Sequence, residues 1–165
     1  MVSYIVSNGA ARFVLTGPIC GPPRDVEDNV LHCASDDERM TLAEIHEHLS
    51  THGDGVKDVA FRIAGDIDAV WRRAVRNGAR AIAEPRIVAV DGHGLIVSAT
   101  VGAYGDTVHS LVNREGYSVD APFLPGYRVI SEEDPITRLL PIIDFLEVDH
   151  CVGNQHWGGV DHVVR

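Results

Sequence analysis

This chain is short of cysteine, of positive charge and of long apolar runs. Its three cysteines (Cys20, Cys33, Cys151) are odd in number and show no Cys-x-x-Cys spacing. That argues against a disulfide framework and reads as reduced thiols in an intracellular protein. Lysine and arginine total 14 against 24 acidic residues, a formal charge of −10. No nucleic-acid partner and no anionic membrane surface are expected, because both want clustered basic residues. No run reaches the ~18 apolar residues of a membrane span. The opening MVSYIVSNGAARF lacks a basic stretch followed by an apolar one. No secretory leader is read there, and a cytoplasmic location is expected. What remains is a 165-residue chain that is 45% hydrophobic. That is enough for a core in one domain of ordinary size.

Two β-branched and aromatic runs open the chain, VSYIVS (2–7) and ARFVLT (11–16), with Asn8-Gly9 between them. Asn-Gly tolerates the positive φ angles of a type I′ turn, so a hairpin is predicted. Residues 17–37 carry Pro18, Pro22 and Pro23 among acids and read as a solvated loop. Thr41 and Glu44 have capping-box spacing, which predicts a helix over 41–50 with Leu42, Ile45 and Leu49 on one face. HGDG (52–55) breaks it, and VKDVAFRI (56–63) reads as a half-buried strand.

Asp66 then caps IDAVWRRAVRNG, where Ile67, Val70, Trp71, Ala74 and Val75 keep helical spacing and Asn77-Gly78 supplies the stop. Strands are predicted at 86–90, 95–101 and 107–113, with turns between them. Residues 117–146, with Pro122, Pro125, Pro135 and Pro141, read as an ordered linker, and 147–152 as one further strand. The order from residue 56 is β-α-β-β-β. Such a unit is a curved sheet with a helix on one side and an open edge.

Four motifs carry a family likeness: HGDGVKDVAF (52–61), YGDTVHSLV (104–112), FLPGY (123–127) and VDHCVGNQ (148–155). In this order and at about these separations they resemble 4-hydroxyphenylpyruvate dioxygenase, of the vicinal-oxygen-chelate superfamily. The resemblance implies an α+β fold of βαβββ modules, the first module incomplete. It implies an N-terminal domain over 1–116 (a partial module 1–51 and a complete one 56–116), a linker over 117–146, and the truncated start of a catalytic domain over 147–165. It implies Fe(II) and O2 acting on a 2-oxo acid, with homogentisate and CO2 as products. It makes His150 the first of three iron ligands, the other His and the Glu lying beyond this stretch. GGVDHVV (158–164) faintly resembles the family's later motif, which would make His162 the second ligand's counterpart.

The residues alone say less. His150, His156 and His162 are six apart, ~20 Å on a continuous strand, too far to share an ion. A hairpin centred on His156 would bring His150 opposite His162. His109 reads as a hydrogen-bonded strand histidine. His52, Asp54 and Lys57 invite an acid–base reading, but Gly53 and Gly55 favour a tight turn. His46 and His48, two apart on a helix, point different ways. Cys151 reads as packing on the face opposite His150. Three functional readings stay open: a piece of the dioxygenase incomplete for catalysis, a binding or dimerisation module that pairs through its open sheet edge as a homo-oligomer, and a metal site shared by two chains through His150 and His162.

Overall fold

The computed structural model describes residues 1–19, 35–132, 134–141, 143–154 and 157–159. It is an α+β protein with two sheets and two α-helices. The contacts gather the chain into two compact units: Met1–Gly55 with Asp134–Gly158, and Val56–Glu133 with Gly159–Arg165.

In the first unit, β1 (Val2–Asn8) pairs antiparallel with β2 (Ala11–Gly17), Asn8 standing opposite Ala11. The predicted hairpin is present, but its turn is Gly9-Ala10, one residue later than expected. Gly9 has φ +58°, and no non-glycine residue among those described has positive φ. Type I′ needs positive φ at both central residues, whereas glycine first is the II′ pattern. Asn8 is therefore left in the strand, and its side chain is used elsewhere. Its Oδ1 accepts the Phe145 N–H at 2.9 Å and its Nδ2 donates to the Ile143 carbonyl. Ala10 N–H adds a bond to the Leu146 carbonyl at 3.1 Å. Residues 143–146 are thus strapped across the hairpin turn. A Cβ on Gly9 would lie 1.8 Å from the Phe145 carbonyl oxygen, so glycine is required there by space as well as by φ. Tyr4 faces Leu15 and Val6 faces Phe13 across the ladder, and all four are exposed.

The first helix, α1 (Asp36–His52), begins five residues before the expected Thr41. Its cap is Ser35, whose hydroxyl takes the Glu38 N–H while the Glu38 carboxylate returns to the Ser35 N–H at 2.9 Å. Asp36, Asp37 and Glu38 suit the positive helix end. Thr41 is interior and donates back to the Asp37 carbonyl at 2.9 Å. The helix runs two residues beyond the expected Ser50, through His52, and stops at Gly53 with φ +69°. None of its residues is fully buried.

In the second unit the elements run β3 (Phe61–Arg62), α2 (Ile67–Arg76), β4 (Arg80–Asp91), β5 (Gly94–Gly102) and β6 (Val108–Asn113). The sheet order is β3-β6-β5-β4, with β3 parallel to β6 and the other pairs antiparallel. The strand expected over 56–63 is shorter than predicted. Its backbone still follows β6 in one register, with Asp58 opposite Val108 and Phe61 opposite Leu111. Between those points the Asp58 carboxylate takes the Ser110 N–H at 2.9 Å, replacing a ladder bond by a side chain. At the other edge β4 starts earlier than predicted and contains Pro85, which an edge strand tolerates at a register shift between Ala83 and Arg86.

α2 matches its predicted limits. Asp66 accepts from Asp68 and Ala69 N–H, and Gly78 takes φ +101° just beyond the end. Ile67 on α2, Ala99 on β5 and Leu111 on β6 form the buried centre, with Ile63, Trp71 and Val97 against it. Trp71 also donates its indole N–H to the Thr100 carbonyl at 3.3 Å. At the end of β6, Arg114 lies 4.7 Å from the Phe123 ring centre and 5.3 Å from that of Tyr117. That cation–π stack ties the FLPGY stretch to the sheet.

Candidate functional site

The strand expected over 147–152 is not formed. The described residues 143–154 are irregular backbone with no ladder partner among the described residues, and a strand exists only through such pairing. His150 stands in that segment with 73% of its side chain exposed. Its Nδ1 lies 2.6 Å from Asp149 Oδ2, and Asp149 itself is 91% exposed. A carboxylate on Nδ1 fixes the tautomer that leaves Nε2 free to bind a metal. The local chemistry therefore suits one ligand position. It does not complete a set. Among the described residues, His150 belongs to no group of three ligating side chains. His162 and the turn centred on His156 lie outside the described residues. Cys151, expected to pack, is exposed.

The other histidines sort differently. His109 Nδ1 is 3.0 Å from the Val59 carbonyl oxygen, and its ring meets Phe61 edge-on at 5.0 Å. It joins β6 to the neighbouring edge segment, as a strand histidine with a structural bond would. Lys57 donates to the Asp106 carbonyl at 2.6 Å, with the Asp106 carboxylate 3.4 Å away. On α1 the relevant partner of His48 is His52, with ring centres 4.9 Å apart. HLSTH spaces these two four apart, one helical turn, whereas His46 and His48 are two apart and point different ways.

No family model matches the chain. Individual proteins do. It is 56% identical to the probable 4-hydroxyphenylpyruvate dioxygenase 2 of Aspergillus fumigatus, over 100% of this chain and 40% of that protein. Along its whole length, this chain is similar in sequence to proteins named 4-hydroxyphenylpyruvate dioxygenase. A second A. fumigatus protein, named 4-hydroxyphenylpyruvate dioxygenase, is 43% identical over 98% of the chain and 38% of its own length. The Yarrowia lipolytica protein of that name is 36% identical over 100% of the chain and 37% of its own length. The chain thus spans about 40% of the length of the curated relatives it matches. No helix among the described residues is long and apolar enough to cross a membrane.

Proposed function

We propose that this chain is part of an Fe(II)- and O2-dependent dioxygenase that converts the 2-oxo acid 4-hydroxyphenylpyruvate to homogentisate and CO2 in the cytoplasm. The observation that carries this is the end-to-end similarity, up to 56% identity, to proteins named for that activity. The β3-α2-β4-β5-β6 unit is the complete βαβββ module of a vicinal-oxygen-chelate domain over 56–116. The hairpin and α1 supply the partial module 1–51, residues 117–146 the linker, and 147–165 the start of the catalytic domain. His150 contributes one iron ligand from that last segment. His162 is the counterpart of a second. Among the described residues no full ligand set gathers at His150, and the reading takes the remaining ligands from outside them.

The test is a chimera in which this chain replaces the matching stretch of the 56% identical A. fumigatus protein. The chimera should consume O2 and form homogentisate, and His150→Ala in it should abolish both. A folded but inactive chimera overturns the functional reading. An active His150→Ala chimera overturns the ligand assignment. Homogentisate formed by the 165-residue chain alone would overturn the claim that it is incomplete.

A free-standing dimerisation module explains less, because it leaves the similarity to enzymes without a role. Among the described residues the hairpin nevertheless has no third strand in its sheet, and its Tyr4, Val6, Phe13 and Leu15 side chains are exposed. Self-association of the isolated chain through that edge follows. A monomer at all concentrations in sedimentation velocity would exclude it.

A further inference from the structure

The pair left over from the site above is His48 and His52 on α1. Residues four apart on a helix lie on one face, one turn apart, with Cβ atoms about 5–6 Å from each other. Here the two imidazoles approach to 4.9 Å between centres and are tilted at 48°, so they are not stacked face to face. A ring nitrogen of one lies within 4.8 Å of a ring nitrogen of the other. Two nitrogens sharing one tetrahedral ion at about 2.0–2.1 Å each stand about 3.4 Å apart. Small side-chain rotations close that difference while the backbone stays helical.

Two further features favour the site. The Gly53–Gly55 turn brings Gly55 beside His48: a Cβ on Gly55 would lie 3.4 Å from His48 Nε2. Glycine there lets the turn backbone pack closely over that nitrogen, which is buried. The helix itself buries no residue completely. With no fully buried anchor on the helix, a link between its last two turns would stabilise it directly.

We propose that His48 and His52 form a two-imidazole chelate for a divalent transition-metal ion of the zinc and copper class. Neutral imidazole prefers these ions to Fe(II), which lies lower in the affinity order for nitrogen ligands. The site is therefore separate in place and in preference from an iron ligand at His150. Its role is structural: the ion staples the C-terminal end of α1 ahead of the glycine turn.

The test uses the whole chain and Zn2+ in isothermal titration, with His48→Gln, His52→Gln, His46→Gln and His150→Gln variants. Glutamine keeps helix propensity and carries no imidazole. Affinity for one Zn2+ equivalent should fall by more than about tenfold in His48→Gln and in His52→Gln, the scale of loss that even outer-shell partners of a metal produce. It should hold in His46→Gln and His150→Gln. Cu2+ bound to the unaltered chain should show two equivalent nitrogens in its electron paramagnetic resonance hyperfine pattern, lost in the same two variants. Any other pattern of loss among the four variants overturns the proposal, as does a one-nitrogen spectrum. Helical circular dichroism on each variant separates loss of ligand from loss of fold.

Discussion

Asn8 and Phe145 are joined by a hydrogen bond that spans 137 residues of sequence, the Phe145 N–H donating to Asn8 Oδ1 at 2.9 Å. The same side chain holds the Ile143 carbonyl, so one amide uses its donor and its acceptor on one passing segment. That segment leads into Asp149 and His150. The hairpin thus does more than form the first sheet: it fixes the approach to the candidate ligand.

Asn8→Ala should release this strap. Each lost bond is worth about 0.5–1.5 kcal/mol, at the lower end here because both groups are exposed and water replaces them. We expect faster hydrogen exchange at the Phe145 and Leu146 amides and faster proteolysis within 143–150, with the β1–β2 ladder intact. Gly9→Ala should do the same and cost more, because it adds a left-handed φ penalty of about 1–2 kcal/mol to the clash with the Phe145 carbonyl. Equal protection of the Phe145 amide in Asn8→Ala and in the unaltered chain would refute the strap.

The start of α1 gives a second check. Ser35→Ala removes the acceptor for the Glu38 N–H and should cost about 1 kcal/mol. Thr41→Ala should cost less, since Thr41 is interior and its hydroxyl bonds backward to the Asp37 carbonyl. Because no α1 residue is fully buried, the loss should appear as local fraying of the first turn. Amide exchange at Glu38 and Arg39 measures it. A larger effect from Thr41→Ala would restore the later start that the sequence suggested.

These two places show what was legible and what was not. α2 was readable because Asp66, the Ile67–Trp71–Ala74 stripe and Asn77-Gly78 all point to one helix. The strands from 86 to 113 were readable for the same reason, since apolar runs and turns agree. α1 was misread because its first turn, Asp36-Asp37-Glu38-Arg39, carries no apolar periodicity, and the first capping box beside an apolar residue is at Thr41. The Asn8 side chain was invisible because its partners are remote in sequence. The segment 147–152 has strand composition, but composition does not supply a ladder partner. His150 is proposed on its motif alone, whereas the His48–His52 contact follows from the helical period of HLSTH.

The sheet unit gives a prediction of larger size. Leu111 is buried against Ile67 and Ala99, where helix meets sheet. Leu111→Ala should cost about 2–5 kcal/mol through lost burial and a residual cavity. Val112 lies next to it in the strand but is only half-buried, so Val112→Ala should cost clearly less. Urea denaturation followed by circular dichroism gives both values. Equal costs would mean that the core is not centred between α2 and the β5–β6 pair.

The contact between His150 and Asp149 can be tested apart from catalysis. Asp149 Oδ2 lies 2.6 Å from His150 Nδ1, and both side chains are largely exposed, so the pair adds little to stability. Under the ligand role proposed for His150, its use is orientation: it would hold the ring with Nε2 turned to the metal. Asp149→Asn keeps the shape of the side chain but removes its charge. In the chimera described above, Fe(II) affinity should fall about 10–100-fold, the range typical of partners that orient a metal-bound histidine. Thermal stability of the metal-free protein should stay within about 0.5 kcal/mol of the parent, as surface changes usually do. Unchanged Fe(II) affinity would mean that the ring is held by other groups once the full ligand set is assembled. An Asp149→Glu variant that recovers part of the affinity would show that the negative charge at Nδ1, and not merely a hydrogen-bond acceptor, sets the ligand.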